Sequence, residues 1–217
     1  MLVAACFLLQ SGTAAPEKPV RRVLIFYELG VSSPAVALVD REIRTALEQS
    51  PYQIELYAEY LETALFPDAA SQQKFREWYI LKYKKLKPDV ILTVGPSPLR
   101  FMVESHERFF RDIPVVFCAT SSEQAGNPKL NSNFAGVWIN FDPAKTLEVA
   151  LQLKPSTQHV VVVGGSGATD RLLVGIVRGA LRRYEDKVEI TYLTDLGMST
   201  FLDRLKRLPP TRLSSTR

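Results

Sequence analysis

Four short polar clusters follow apolar runs in this chain, and their side chains are suited to holding a small molecule. In the first, the Tyr27 ring can stack on a flat ligand and the Glu28 carboxylate can pair with an amine. The second is Gly95, Pro96 and Ser97, with a hydroxyl able to donate to a ligand or to cap a helix. The third is Ala119, Thr120 and Ser121, with Ser122 behind them; its hydroxyls favour a polar ligand. The fourth is Gly164-Gly165-Ser166-Gly167-Ala168-Thr169-Asp170, in which Gly165, Ser166 and Thr169 are the candidate contacts. Free N–H groups at a helix start can hold a carboxylate or a hydroxyl. A plain structural reading stands beside each: an exposed loop pair, a helix cap, a strand end and a βα turn.

The glycine cluster invites a nucleotide reading and fails two tests. Counting a G-x-G-x-x-G from Gly165 puts Asp170 in the last place, and no Gly-Lys-Ser/Thr occurs. There is no Ser/His/Asp order, no paired acidic motif and no metal-ligand spacing, so no catalytic residue, metal or cofactor is expected. The two cysteines are Cys6 and Cys118, and the two histidines are His106 and His159. Cys118, at a strand end, reads as core packing, although a Cys–His pair stays open from sequence alone. The net charge of +4 comes without a Lys/Arg stripe interleaved with aromatics. Lys82, Lys84, Lys85 and Lys87 sit at a predicted helix end, where they complement the helix dipole, and nucleic-acid binding is not expected.

The elements that must position these clusters alternate strand and helix. Val23-Leu24-Ile25-Phe26-Tyr27 and Val90-Ile91-Leu92-Thr93-Val94 are continuous apolar runs, as in strands buried on both faces of a parallel sheet. Ile54, Leu56 and Ala58 alternate, and a fourth strand follows Pro114. Ser33-Pro34, Ser97-Pro98 and Asp142-Pro143 each open a helix in the same way. A helix over residues 69–86 is predicted to turn Phe75, Trp78, Tyr79 and Leu86 inward. The expected first lobe covers residues 22–121, with sheet order 2-1-3-4. Residues 122–141 read as a loop and crossover strand. A partial second α/β lobe runs over 142–208, with His159-Val160-Val161-Val162-Val163 as its first strand. In parallel α/β sheets, ligands sit at the carboxyl ends of the strands, which is where the four clusters fall.

Ile113-Pro114-Val115-Val116-Phe117, the Gly136-Val137 strand, Asp142-Pro143-Ala144-Lys145-Thr146-Leu147-Glu148 and Leu153-Lys154-Pro155 before Val160 follow in order. That succession resembles the ABC-type substrate-binding proteins of the tryptophan/tyrosine-binding-like group, with a type 1 periplasmic-binding-protein fold. Residues 52–98 also resemble the extracytoplasmic sensor regions of some bacterial histidine kinases, built on the same fold. The resemblance covers residues 22–208. It implies two Rossmann-like lobes closing on a small ligand, often an amino acid or an aromatic compound. It also implies a partner, either an ABC permease or a kinase module in the same polypeptide. Its binding turns map onto Gly95-Pro96-Ser97, Ala119-Thr120-Ser121 and residues 164–169.

Residues 2–9 are apolar and Ser11-Gly12-Thr13-Ala14-Ala15 are small, so residues 1–15 read as a signal peptide or N-terminal anchor, and a periplasmic or extracytoplasmic location is expected. The second lobe is expected to be incomplete, and residues 209–217 read as an unstructured tail. The function expected is extracytoplasmic small-molecule binding. A kinase sensor region is the alternative, and a Rossmann-like enzyme using a nucleotide is the reading from another class.

Overall fold

The first strand, β1 (Val20–Tyr27), sets the layers of the structure. Residues 23–27 of β1 are almost wholly buried, and successive side chains point to opposite faces. Val23, Ile25 and Tyr27 pack under α1 (Pro34–Glu48) against Val36, Val39, Ile43 and Leu47. Leu24 and Phe26 face the other way, into a core with Tyr79 and Tyr83 of α2 (Ala69–Tyr83) and with Phe101 and Met102 of α3 (Pro96–Ser105). Edge-to-face contacts put the Phe26 ring 5.4 Å from both Tyr79 and Phe101. An apolar run without alternation is therefore what a strand covered on both faces requires.

The computed structural model describes residues 18–63, 65–66 and 68–208. The apolar segment 2–9, Cys6 and the tail 209–217 lie outside them. β2 (Gln53–Tyr60) and β3 (Val90–Val94) flank β1, followed by β4 (Val115–Thr120) and β5 (Phe134–Trp138), all parallel, in the order β2-β1-β3-β4-β5. The predicted order 2-1-3-4 thus gains a fifth member, because the strand read as a crossover pairs with β4 in the first sheet. β5 pairs with β4 across a register shift between Phe117 and Thr120, and Ala119 there has φ +56°. A second sheet pairs β6 (His159–Val163) with β7 (Glu189–Leu193) in parallel. α4 (Pro143–Leu153) and α5 (Ala168–Leu181) pack on it through Leu147, Val177 and Leu181, against Val160, Val162 and Ile190. α6 (Met198–Lys206) follows β7.

Local chemistry explains the boundaries. Asp142 caps α4 by accepting from Ala144 N–H at 3.1 Å and Lys145 N–H at 3.2 Å. Ser33 occupies the cap position of α1 without a side-chain hydrogen bond there. Asp68 caps α2 by accepting from Ser71 N–H at 2.8 Å. That helix ends at Tyr83 rather than 86, and Leu86 packs on the core from the turn beyond it. Trp78 faces solvent at 56% exposure, contrary to the inner face predicted for it. Tyr79 and Tyr83 carry the buried side of the helix instead. α3 runs into a π-helical turn (His106–Phe110), where buried His106 donates through Nε2 to Ile113 O at 2.8 Å.

The tyrosines of this core tie its stability to alkaline pH. Burial pushes the Tyr79 hydroxyl from 10.0 up to about 12, and the Glu59 and Glu62 charges add to the effect. The neutral form is favoured in the folded chain, so this contribution is complete below pH 10 and is lost as pH rises from 10 toward about 12. In urea denaturation followed by circular dichroism, Tyr79→Phe is expected to lose less stability over that window than the parent. An identical alkaline slope in the two proteins would contradict the assignment.

Candidate functional site

Where β1, β3 and β4 end, a cavity of about 910 Å³ opens between the first lobe and the start of α5. That size is in the range of small-molecule pockets. Its first-lobe wall comes from the strand ends (Glu28, Val94, Gly95, Ala119) and from the helices beside them. Its second-lobe wall is Ser166, Gly167, Thr169, Asp170 and Arg171. No group of His, Cys, Asp or Glu able to hold a metal occurs among the described residues.

Glu28 lies at the centre of this arrangement. As the residue immediately after β1, it is carried to the sheet edge, where it is only 7% exposed. Its carboxylate accepts from the Ser97 hydroxyl at 3.0 Å and from Ser97 N–H at 3.3 Å. From the opposite lobe, the Thr169 hydroxyl donates to the same carboxylate at 3.4 Å. The Ser97 hydroxyl in turn accepts from Arg100 Nη2 at 2.9 Å, and Arg100 Nη1 donates to Gln124 O at 2.7 Å. Carboxylate, hydroxyl and guanidinium thus form a chain running from the floor of the cavity to the loop after β4.

Gly95 makes this approach possible. Its φ is +105°, and a Cβ there would lie 2.6 Å from Glu28 Oε2. Only glycine meets both demands. Gly95 is also the N-cap residue of α3, so Ser97 is the second residue of the helix and does not cap it as expected. Its hydroxyl is directed to Glu28 instead.

The other sequence candidates divide. Glu28, Gly95, Pro96, Ser97, Ala119, Ser166 and Thr169 line the cavity. Tyr27 does not. Its position in β1 points it under α1, where its hydroxyl donates to Asp40 Oδ1 at 2.6 Å and its ring stacks on Tyr60 at 5.2 Å. Burial, with the Asp40 hydrogen bond added, raises the Tyr27 hydroxyl far above its ordinary value. Burial pushes the Asp40 carboxyl up, but hydrogen bonds from Arg44 and Tyr27 outweigh it and hold the group below its usual range. Thr120 and Ser121 are buried and committed to their own turn: Thr120 Oγ1 donates to Ser121 O, and Ser121 exchanges two bonds with Gln124. Gly165 backs onto Asp170, whose Oδ2 would lie 2.5 Å from a Cβ there. Trp138 packs on Phe117 at 4.3 Å.

Sequence reading missed much of the cavity wall. Leu29, Val36, Leu61, Phe75 and Phe101 supply its apolar part, and Arg76, Arg100 and Arg171 its cationic part. Phe101 belongs both to the core and to the wall. Arg100 lies three residues after Ser97, one helical turn on, and that spacing was the available signal.

Tyr27→Phe separates the two roles proposed for this strand end. Loss of a hydrogen bond to a charged group is expected to lower stability by about 1.5–3 kcal/mol in urea denaturation. Affinity for any ligand of the cavity is expected to stay unchanged. A ligand whose affinity falls with this variant, while its fold is intact, would return Tyr27 to the site.

No family model and no curated protein sequence matches the chain. Solved structures do. A putative LacI transcriptional regulator from Bacteroides fragilis is 13% identical with a TM-score of 0.64, the match covering 86% of this chain and 65% of that one. A solute-binding protein of an ABC transporter from Rhodopseudomonas palustris, solved with 3,4-dihydroxybenzoic acid, is 11% identical with a TM-score of 0.58, over 86% and 51%. An ABC domain from Streptococcus pneumonia, in complex with L-Trp, is 14% identical with a TM-score of 0.54, over 79% and 56%. The chain spans between about half and two thirds of the length of these structures. At such identities the likeness is one of fold: the chain has the type 1 periplasmic-binding-protein fold, with two α/β lobes facing one another across a cleft.

Proposed function

We propose that this chain binds a small molecule in the cavity between its lobes, outside the cytoplasm, as the substrate-binding component of an ABC importer. One observation carries the reading: a 910 Å³ cavity at the carboxyl ends of parallel strands takes wall residues from both lobes. A site shared in this way couples ligand binding to the approach of the lobes, as a carrier that must hand over its cargo requires. The candidate contacts are Glu28, Gly95, Pro96, Ser97, Ala119, Ser166 and Thr169. Export is proposed from the apolar residues 2–9 and the small residues 11–15, with a mature N-terminus near Pro16.

A second reading, the ligand-sensing region of a membrane histidine kinase, rests on the resemblance of residues 52–98. It uses the same cavity and differs in the partner. Permease and ATPase genes beside this one support transport; a reading frame continuing into a membrane helix and kinase domain supports sensing. The nucleotide-enzyme reading has an observation against it. At the start of α5 the Gly167 N–H is already taken by the Asp170 carboxylate at 3.1 Å. A phosphate there would meet a negative charge where it needs a donor.

A thermal-shift screen of the purified chain against a metabolite library tests the reading. A ligand at a hundred times its Kd is expected to add about 2.7 kcal/mol of stability. Nucleotides are expected to leave the melting temperature unmoved. Thr169→Val, which removes the hydroxyl that crosses the cleft, is expected to weaken the hit by about 0.5–1.5 kcal/mol. If nothing in the library shifts the melting temperature, small-molecule binding fails as an account of the cavity.

A further inference from the structure

Two helix N-termini face the cavity, and each already holds a carboxylate belonging to the chain. At α3 Glu28 takes the Ser97 N–H and hydroxyl; at α5 Asp170 takes the Gly167 N–H. These are the positions where a ligand carboxylate or phosphate would find donors and a favourable helix dipole. The arginines of the wall are committed as well. Arg76 pairs with Glu104, and Arg171 pairs with Asp195 at 3.1 Å. Arg100 donates one N–H from each terminal nitrogen to a neutral oxygen, Gln124 O and Ser97 Oγ, which fixes its guanidinium against the first lobe.

Glu28 is in the opposite position. Every hydrogen bond to its side chain among the described residues comes from a neutral donor: the Ser97 N–H, the Ser97 hydroxyl and the Thr169 hydroxyl. Arg100 reaches it only through the Ser97 hydroxyl. A carboxylate this buried, hydrogen-bonded by neutral donors and without a cation in contact, leaves its charge to be paired by a ligand cation. Around it Leu29, Val36 and Leu61 make an apolar wall, and Phe75 and Phe101 add two rings of the kind that attract organic cations.

The geometry points to a ligand headed by a positively charged nitrogen and carrying no carboxylate: an organic amine on an apolar body, with Glu28 as its counter-ion. This assignment rests on the small-molecule reading above and narrows it. Amino acids are disfavoured because Glu28 and Asp170 already place a negative charge at each helix start, where a ligand carboxylate would have to sit.

The test uses probes that share a body and differ in charge. Phenethylamine, phenylalanine and 3-phenylpropionate form one set; hexylamine, norleucine and hexanoate form another. Each is titrated calorimetrically into the purified chain at neutral pH, and the metabolite screen is sorted by the same three charge classes. The amines are expected to bind at least about tenfold more tightly than their zwitterionic and anionic counterparts. Glu28→Gln is expected to remove about tenfold or more of amine affinity while the circular dichroism spectrum stays unchanged. Should that variant fail to fold, Glu28→Asp keeps the charge at a shorter reach and is expected to weaken the amine while preserving its preference over the acid. If a zwitterion or anion binds as tightly as the matched amine, or Glu28→Gln folds and binds the amine unchanged, the assignment is overturned and the small-molecule reading stands. If the amines fail and the screen yields only hits of another charge class, the outcome is the same. If no compound of any class binds, both fall.

Discussion

Burial of β1 on both faces is the constraint on which the rest of this structure depends. With helices packed on either side, no side chain within residues 23–27 can meet a ligand. Chemistry can emerge only where the strand ends. Phe26 goes to one core and Tyr27 to the other, and Glu28 is the first residue past the strand and free of that alternation. Its placement then dictates its neighbours. Gly95 has no side chain because the carboxylate fills that space, and Ser97 is drawn to it from the first turn of α3.

From this carboxylate a line of bonds leads outward. Ser97 joins Glu28 to Arg100, and Arg100 joins both to the loop after β4 through Gln124. Gln124 and Ser121 hold each other by a reciprocal pair of bonds. Three segments distant in sequence are thereby fixed to one point beneath the cavity. The second lobe adds its contact through Thr169, whose hydroxyl donates to the same oxygen that Ser97 uses. Whatever enters the cavity meets an arrangement already bridging both lobes.

The apolar strand cores, the helix starts at Pro34 and Pro143, and the edge where the site lies were legible in the sequence, because each rests on a local rule. What escaped depends on single-residue register or on competition. Tyr27 and Glu28 are adjacent and look equally eligible; which faces the cleft is set by where β1 stops, to the residue. Thr120 and Ser121 carried the right hydroxyls, but a local turn claimed them first. Trp78 belongs to a helix whose aromatic residues are spread around it, so no single face announced itself. β5 was legible as a short strand, but its pairing with β4 was not, because a crossover strand and a fifth sheet strand look alike in sequence; Gly136 is needed because a Cβ there would lie 2.2 Å from Phe117 O. Only the fold brings Arg76 and Arg100 to a cavity wall.

That fifth strand has a consequence for how the protein behaves in a tube. Among the described residues β5 ends its sheet with no strand on its outer side, and Val137, Trp138, Ile139 and Phe141 lie exposed along it. A bare edge with an apolar fringe is the surface on which chains adhere to one another. Self-association in concentrated solution is expected to start at that edge, and a lysine placed on it is the handle for reducing it.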